Sequence, residues 1–218
     1  MRRYIFTAVT IMVGLAGAVA LAQFGGGGFS GPGATLRGPT SSTDNAIVRF
    51  NGTTGKRVQN SGIVIDDSDR MTNSSQPCFL AFNSVTDVDQ TGNNTFATVD
   101  FNIEVFDQGA DFAADTFTAP VTGRYLLTTV IQVLGITTAA DAILTEIVTS
   151  NRTYRGTRFD LTNGLPDRYG MTLSVVADMD SSDTATVRVL VNGEGSSVVD
   201  VVGDATILLT TFSGCLLS

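Results

Sequence analysis

From residue 78 onward the chain is patterned in twos, and that period constrains its fold more than any other feature. Apolar residues and a few threonines recur at alternate positions: Phe101, Ile103 and Val105; Tyr125, Leu127, Thr129, Ile131 and Val133; Leu173, Val175, Ala177 and Met179; Val187, Val189 and Val191; Ile207, Leu209 and Thr211. Successive side chains of a strand point to opposite faces, so each run predicts a strand with one side on a core. Between the runs stand residues that accept tight or left-handed turns: Asp107-Gln108-Gly109, Asn163-Gly164-Leu165-Pro166-Asp167, Asp180-Ser181-Ser182-Asp183 and Asn192-Gly193-Glu194-Gly195. Many short strands at this spacing predict an all-β sandwich or jelly roll. One window reads both ways: 138–147 is Ala-rich and free of Gly and Pro, which suits a helix, but the Thr and Val that follow favour a strand.

Ahead of this region the organisation changes. Arg2 and Arg3 precede an apolar run from Ile5 through Val19 without an acidic residue, and Ala20-Leu21-Ala22 offers the small-x-small pattern of a cleavage site. Residues 1–22 are therefore expected to be a signal peptide cut before Gln23, with an uncleaved anchor as the alternative. Residues 23–41, with Gly25 to Gly28 and Gly31-Pro32-Gly33, hold too few apolar side chains to offset the entropy of ordering them and predict a flexible tether. A collagen-like stalk is rejected, because the three-residue period from Gly28 and Gly31 meets Ala34. Residues 42–75 read as short strands and turns: Ala46 to Phe50, the turn Asn51 to Gly55, Lys56 to Gln59, a break at Gly62, then Ile63-Val64-Ile65. Some thirty residues of this kind cannot bury a core alone, so they must pack on the next domain or on copies of themselves.

Composition excludes several functions. The chain holds no His and no Trp, which removes every mechanism that needs an imidazole. Thirteen Lys plus Arg stand against twenty-one Asp plus Glu, a formal charge of -8, or -10 once Arg2 and Arg3 are removed. With Lys56 the lone lysine, the chain lacks the basic surface that nucleic acid or an anionic membrane draws on. Arg152, Arg155 and Arg158 with Tyr154 and Phe159 form the one basic-aromatic cluster. It either faces a neighbouring subunit, binds an acidic ligand or is simply a strand rim. Four Asn-x-Ser/Thr matches, at Asn51, Asn73, Asn93 and Asn151, are expected by chance in a chain rich in Asn and Thr, and no glycans are assumed.

The remaining chemistry is carboxylate. Asp178 and Asp180 lie on one face of an expected strand and Asp183 follows in the turn, a calcium candidate built of hard oxygen ligands. Asp66, Asp67 and Asp69, and Asp87 and Asp89, are lesser clusters. None matches an EF-hand loop, and solvated turn aspartates are the plainer reading of all three. A pair of carboxylates can also cleave a glycosidic bond, but no motif here locates a sugar cleft.

Specific words narrow the fold. Phe117-Thr118-Ala119-Pro120-Val121-Thr122-Gly123-Arg124-Tyr125 resembles the F-x-A-P-x-x-G-x-Y element of the C1q/TNF-like superfamily. Phe212-Ser213-Gly214-Cys215-Leu216-Leu217 resembles its closing strand, and Met179 to Val187 its L-x-x-G-D-x-V-x-V turn, with Ser182 where the family has Gly. The segment from Thr43 to Ser68 resembles a repeat-like stalk segment of trimeric phage tail fibres and bacterial surface fibres.

The first resemblance implies a ten-stranded jelly roll over residues 76–218, with Phe117, Ala119, Pro120, Gly123, Tyr125, Phe212, Gly214 and Leu216 as structural residues. It also implies a homotrimer with ligand-binding loops, and it brings Cys78 beside Cys215, as a disulfide or as two small buried thiols. The expectation is thus an exported, non-enzymatic trimer, secreted or at the cell surface, with no cofactor beyond Ca²⁺ and no membrane contact after signal cleavage. Its ligand would be a surface glycan or protein. A trimerisation cap of a fibre and a monomeric carbohydrate-binding jelly roll are the alternatives.

Overall fold

The computed structural model describes residues 36–161 and 167–218. The expected signal peptide, most of the tether and most of the turn at Asn163 to Asp167 lie outside the described residues. No helix among the described residues is long and apolar enough to cross a membrane. The chain divides into two compact units, Met1–Asn73 and Ser74–Ser218.

The first unit is a three-stranded antiparallel sheet of β1 (Ala46–Phe50), β2 (Val58–Ile65) and β3 (Met71–Asn73), in that order. The turn between β1 and β2 contains Gly52 and Gly55 at positive φ, as the Asn-Gly signal predicts. Gly62 does not break the chain: β2 runs through it, and the glycine falls where the register against β1 shifts between the Ala46–Val64 and Val48–Asn60 pairs, a strand irregularity of the kind glycine often marks. After β2, Asp66 Oδ1 accepts the Ser68 and Arg70 amides at 2.9 and 3.0 Å and turns the chain back into β3.

The second unit contains fourteen strand segments among its described residues, more than the ten expected because several are pieces of two or three residues. These are β4 (Cys78–Phe82), β5 (Val85–Thr91), β6 (Ala97–Thr98), β7 (Ile103–Gln108), β8 (Phe112–Ala113), β9 (Thr116–Thr118) and β10 (Gly123–Leu134). They continue with β11 (Ala142–Thr149), β12 (Thr153–Arg155), β13 (Phe159–Asp160), β14 (Arg168–Met179), β15 (Thr184–Asn192), β16 (Val199–Asp204) and β17 (Thr211–Leu216).

One sheet has the order β5-β16-β10-β17-β4-β7, with β14 along the other side of β10 over twelve registered pairs. The other has the order β12-β11-β15-β9-β8, with β13 on β11 and β6 on β15. Strands neighbouring in space are mostly distant in sequence, and every pairing within this unit is antiparallel. Two such sheets around one core make a jelly-roll sandwich.

The core forms where the alternation puts it. Tyr125, Leu127, Thr129, Ile131 and Val133 are all fully buried, as are Val187, Val189 and Val191 from the facing sheet. Ala177 and Met179 join them, and Leu173 and Val175 pack against the same cluster. Window 138–147 yields β11, whose two flanks are bonded to β15 on one side and to β12 and β13 on the other. With the Gly156 amide bonded to Thr145 O, those partners bond the backbone of β11 along both edges, so neighbouring strands and not local helical bonds hold the segment.

Two runs depart from expectation. In the first, Phe101 is buried but lies ahead of β7, and Ile103 and Val105 are exposed. A register shift between Leu80 and Ala81 re-aims β7 against β4, so its alternation no longer follows the core. In the second, Ile207 is exposed and the strand begins only at Thr211, because Asp204 Oδ1 accepts the Thr206 and Ile207 amides and holds the segment in a turn.

Candidate binding surfaces

The residues carried by the C1q/TNF-like words lie in the aromatic core, the turns and the close strand contacts of this unit. Phe117, Tyr125 and Phe212 are fully buried. Phe79 stacks on Phe117 and Phe112 at centroid distances of 4.7 and 4.9 Å and meets Phe212 edge-on at 5.1 Å, while Tyr125 closes the cluster 5.3 Å from Phe117. The Tyr125 hydroxyl donates to the Val121 carbonyl at 2.7 Å, so the turn containing Pro120 is tied to the strand that follows it. Ala119 is buried, and its amide and carbonyl bond to Asp183 O and Ser182 N at 2.8 and 2.7 Å, linking this turn to the Asp180–Asp183 turn. Gly123 lies against Leu216, and a Cβ at Gly214 would stand 2.7 Å from both Leu127 Cδ2 and Phe79 Cε1. The two glycines are thus required by close packing.

Cys78 and Cys215 face each other in the ladder of β4 and β17 and are joined as a disulfide, with Cα atoms 4.1 Å apart and 137 residues between them.

The aspartates are mostly spoken for by the turns they build. Asp183 Oδ2 accepts the Asp180 amide at 2.8 Å and Asn151 Nδ2 at 2.6 Å, and Asp180 Oδ1 accepts from Thr122. Asp178 stands opposite Arg124 on neighbouring strands. Among the described residues no group of three or more His, Cys, Asp or Glu side chains is placed to hold a metal ion. Asp66 is engaged with Arg70, and the pair formed by Asp87 and Asp89 is divided: Asp87 accepts from Asn83 Nδ2 at 2.6 Å, while Asp89 stands in the left-handed region at φ +57°. Burial raises the Asp87 and Asp100 carboxyls above their ordinary value, with the charge of Asp115 adding to both.

The basic-aromatic cluster is taken apart by the pleat. Tyr154 packs on the core, Arg158 pairs with Asp160 at 3.2 Å, and Arg155 points outward to Glu146. Glu146 was not among the residues the sequence singled out. It is fully buried on β11, accepting Arg155 Nε at 2.5 Å on one oxygen and Arg188 Nε and Nη2 at 2.6 Å on the other. The signal for it is present in hindsight: Glu146 is the lone charge in the run Ala142–Thr149.

Two apolar surfaces remain. On the outer face of the first sheet, Val176, Leu126, Cys215 and Cys78 lie in one cross-strand row. The next row is Ser174, Thr128, Ser213, Leu80 and Phe106. Neither row carries a charge, and Leu126, Val176 and Phe106 are 40%, 51% and 45% exposed. Around these rows stand charges: Arg124 opposite Asp178 and Arg168 bonded to Gln132 on β10 and β14, the exposed Glu104 on β7, and Asp200 on β16 opposite Leu134. In the first unit not one described residue is buried, and Val48, Phe50 and Met71 are each more than half exposed.

No family profile and no curated protein sequence matches the chain. Solved structures similar to it include the globular domain of zebrafish complement 1qA protein, at 16% identity and a TM-score of 0.45, covering 65% of this chain and 98% of that one. Crystal structures of murine APRIL are also similar, at 13–14% identity and TM-scores of 0.44–0.45, with 65% of this chain and 99% of theirs covered. The assignment of the fold rests on the strand order and packing described above.

Proposed function

We propose that this chain is an exported, non-enzymatic, trimeric binding protein whose jelly roll engages a surface glycan or protein through several copies of one weak site. The observation that carries self-association is the uncharged outer face of the first sheet, two rows deep across β14, β10, β17, β4 and, in the second row, β7. On an acidic chain such a face is either covered or a liability, since an apolar patch rimmed by polar groups favours association. The coreless sheet of the first unit supports the same reading, because three short strands without a buried residue need further apolar surface to be stable. Three copies, rather than two, follows from the resemblance of both segments to trimeric proteins. A closed trimer presents identical sites together, so avidity replaces strong single contacts.

The test is the solution mass of the full chain by size exclusion with light scattering, in Ca²⁺ and in chelator. Three times the chain mass in both solutions is expected. A monomer in both overturns the reading, and a trimer that dissociates only in chelator supports it while showing that a bound cation holds the copies together.

A further inference from the structure

On the outer face of the second sheet, four residues lie directly opposite one another across four strands: Arg155 on β12, Glu146 on β11, Arg188 on β15 and Thr98 on β6. Their inward neighbours Ile147, Val187 and Val189 are fully buried in the core, so the pleat fixes the row to the outside. Glu146 is nonetheless fully buried, because the two arginines lie over it from either side. One carboxylate thus holds two guanidinium groups, leaving one uncompensated positive charge on a chain whose formal charge is -8.

The arginines are not consumed by this contact. Arg155 gives Glu146 its Nε and keeps 59% of its side chain exposed, while Arg188 keeps 35%. The Arg188 guanidinium also lies 4.1 Å from the centre of the half-buried Phe96 ring, which fixes its plane. An exposed ion pair usually contributes little and holds its partners loosely. Here a buried carboxylate, a ring and the strand register hold two forked donors in place, so the entropy of positioning them is lost on folding and not on binding.

We propose that Arg155 and Arg188, positioned by Glu146, form a binding site for the carboxylate or sulfate of an acidic sugar, with Phe96 as the adjoining apolar wall. An oxyanion accepts two N–H donors from the outer edges of the fork, and the apolar side of a sugar ring suits an aromatic neighbour. An acidic peptide offers the same charge but no ring for Phe96. The site lies within one chain and does not depend on the trimer.

The experiment titrates the full chain by isothermal calorimetry with three probes at matched ionic strength: a sulfated uronic-acid disaccharide, its neutral unsulfated counterpart and a short poly-glutamate peptide. The expected result is binding of the acidic disaccharide alone, weakened by added salt. Arg155→Met keeps the apolar stem over Glu146 and removes the charge, and should weaken that binding about tenfold or more, as expected for the loss of a charge-assisted hydrogen bond. Phe96→Leu, checked for unchanged circular dichroism, should weaken it less. No binding of the acidic disaccharide, equal binding of the neutral sugar or the peptide, or an undiminished affinity in a folded Arg155→Met variant would each overturn the site and leave the row a structural ion pair.

Discussion

At the scale of single residues, the departure of this chain from the C1q/TNF-like turn has a measurable cost. Ser182 sits at φ +77°, in the left-handed region where a side chain is disfavoured and glycine is not, while its amide is tied to Ala119 O. Ser182→Gly is expected to stabilise the domain by about 0.5–1 kcal/mol, read as a raised denaturant midpoint at unchanged slope. Asp100 shows the opposite economy of charge. Burial first, and then the carboxylate of Asp115, hold its carboxyl above the ordinary value of 3.8. Between that value and the raised one the folded chain binds more protons than the unfolded chain, so this group's contribution to stability falls as pH rises through the window. Asp100→Asn is expected to raise the melting temperature at pH 7 and to leave it nearly unchanged at pH 3, where both forms are neutral. An equal gain at both pH values would show that charge is not the cause. Neither effect was legible as such: the sequence marks Ser182 as an oddity, but only the backbone shows the φ, and nothing in it brings Asp100 to Asp115.

At the scale of elements, β4 and β17 are joined twice, by five registered pairs and by the Cys78–Cys215 disulfide. The bond closes a loop of 137 residues and restricts the unfolded chain accordingly. Its reduction is expected to lower stability by about 4–5 kcal/mol in the loop-entropy account, checked by denaturant unfolding with and without reductant. An unchanged midpoint would refute a stabilising bond. Strands buried on one face were the readable ones: β10 follows its alternation position by position, and β15 does so from Thr184 to Val189. At β7 and before β17 the same alternation misleads, since a register shift in one case and an Asp204-centred turn in the other override a local pattern. Alternation reports which residues could share a face, and the partner strand decides whether that face meets the core.

At the scale of the whole molecule, both units expose apolar surface that a single copy leaves in water. If the outer face of the first sheet is the subunit contact, a charge placed in the middle of it must be buried without a partner. Val176→Asp is expected to shift the full chain from three copies towards one in light scattering, while the far-ultraviolet dichroism of the monomer stays β-rich. A trimer that survives Val176→Asp would move the contact elsewhere.

The sequence by itself determined the class of fold, the strands that line the core, the aromatic and glycine residues of the two family-like words, and the absence of imidazole chemistry. These are properties of neighbours along the chain, where a period of two and the conformational limits of Gly, Pro and Asp act locally. The tertiary structure alone decided that Arg155 belongs with Arg188 and not with Arg152 and Arg158, and that Glu146 lies buried between them. It also decided that Val176, Leu126 and the disulfide form one uncharged row. In a jelly roll the strands that touch are far apart in sequence, so a surface assembled across them is set by register, which only the folded chain defines.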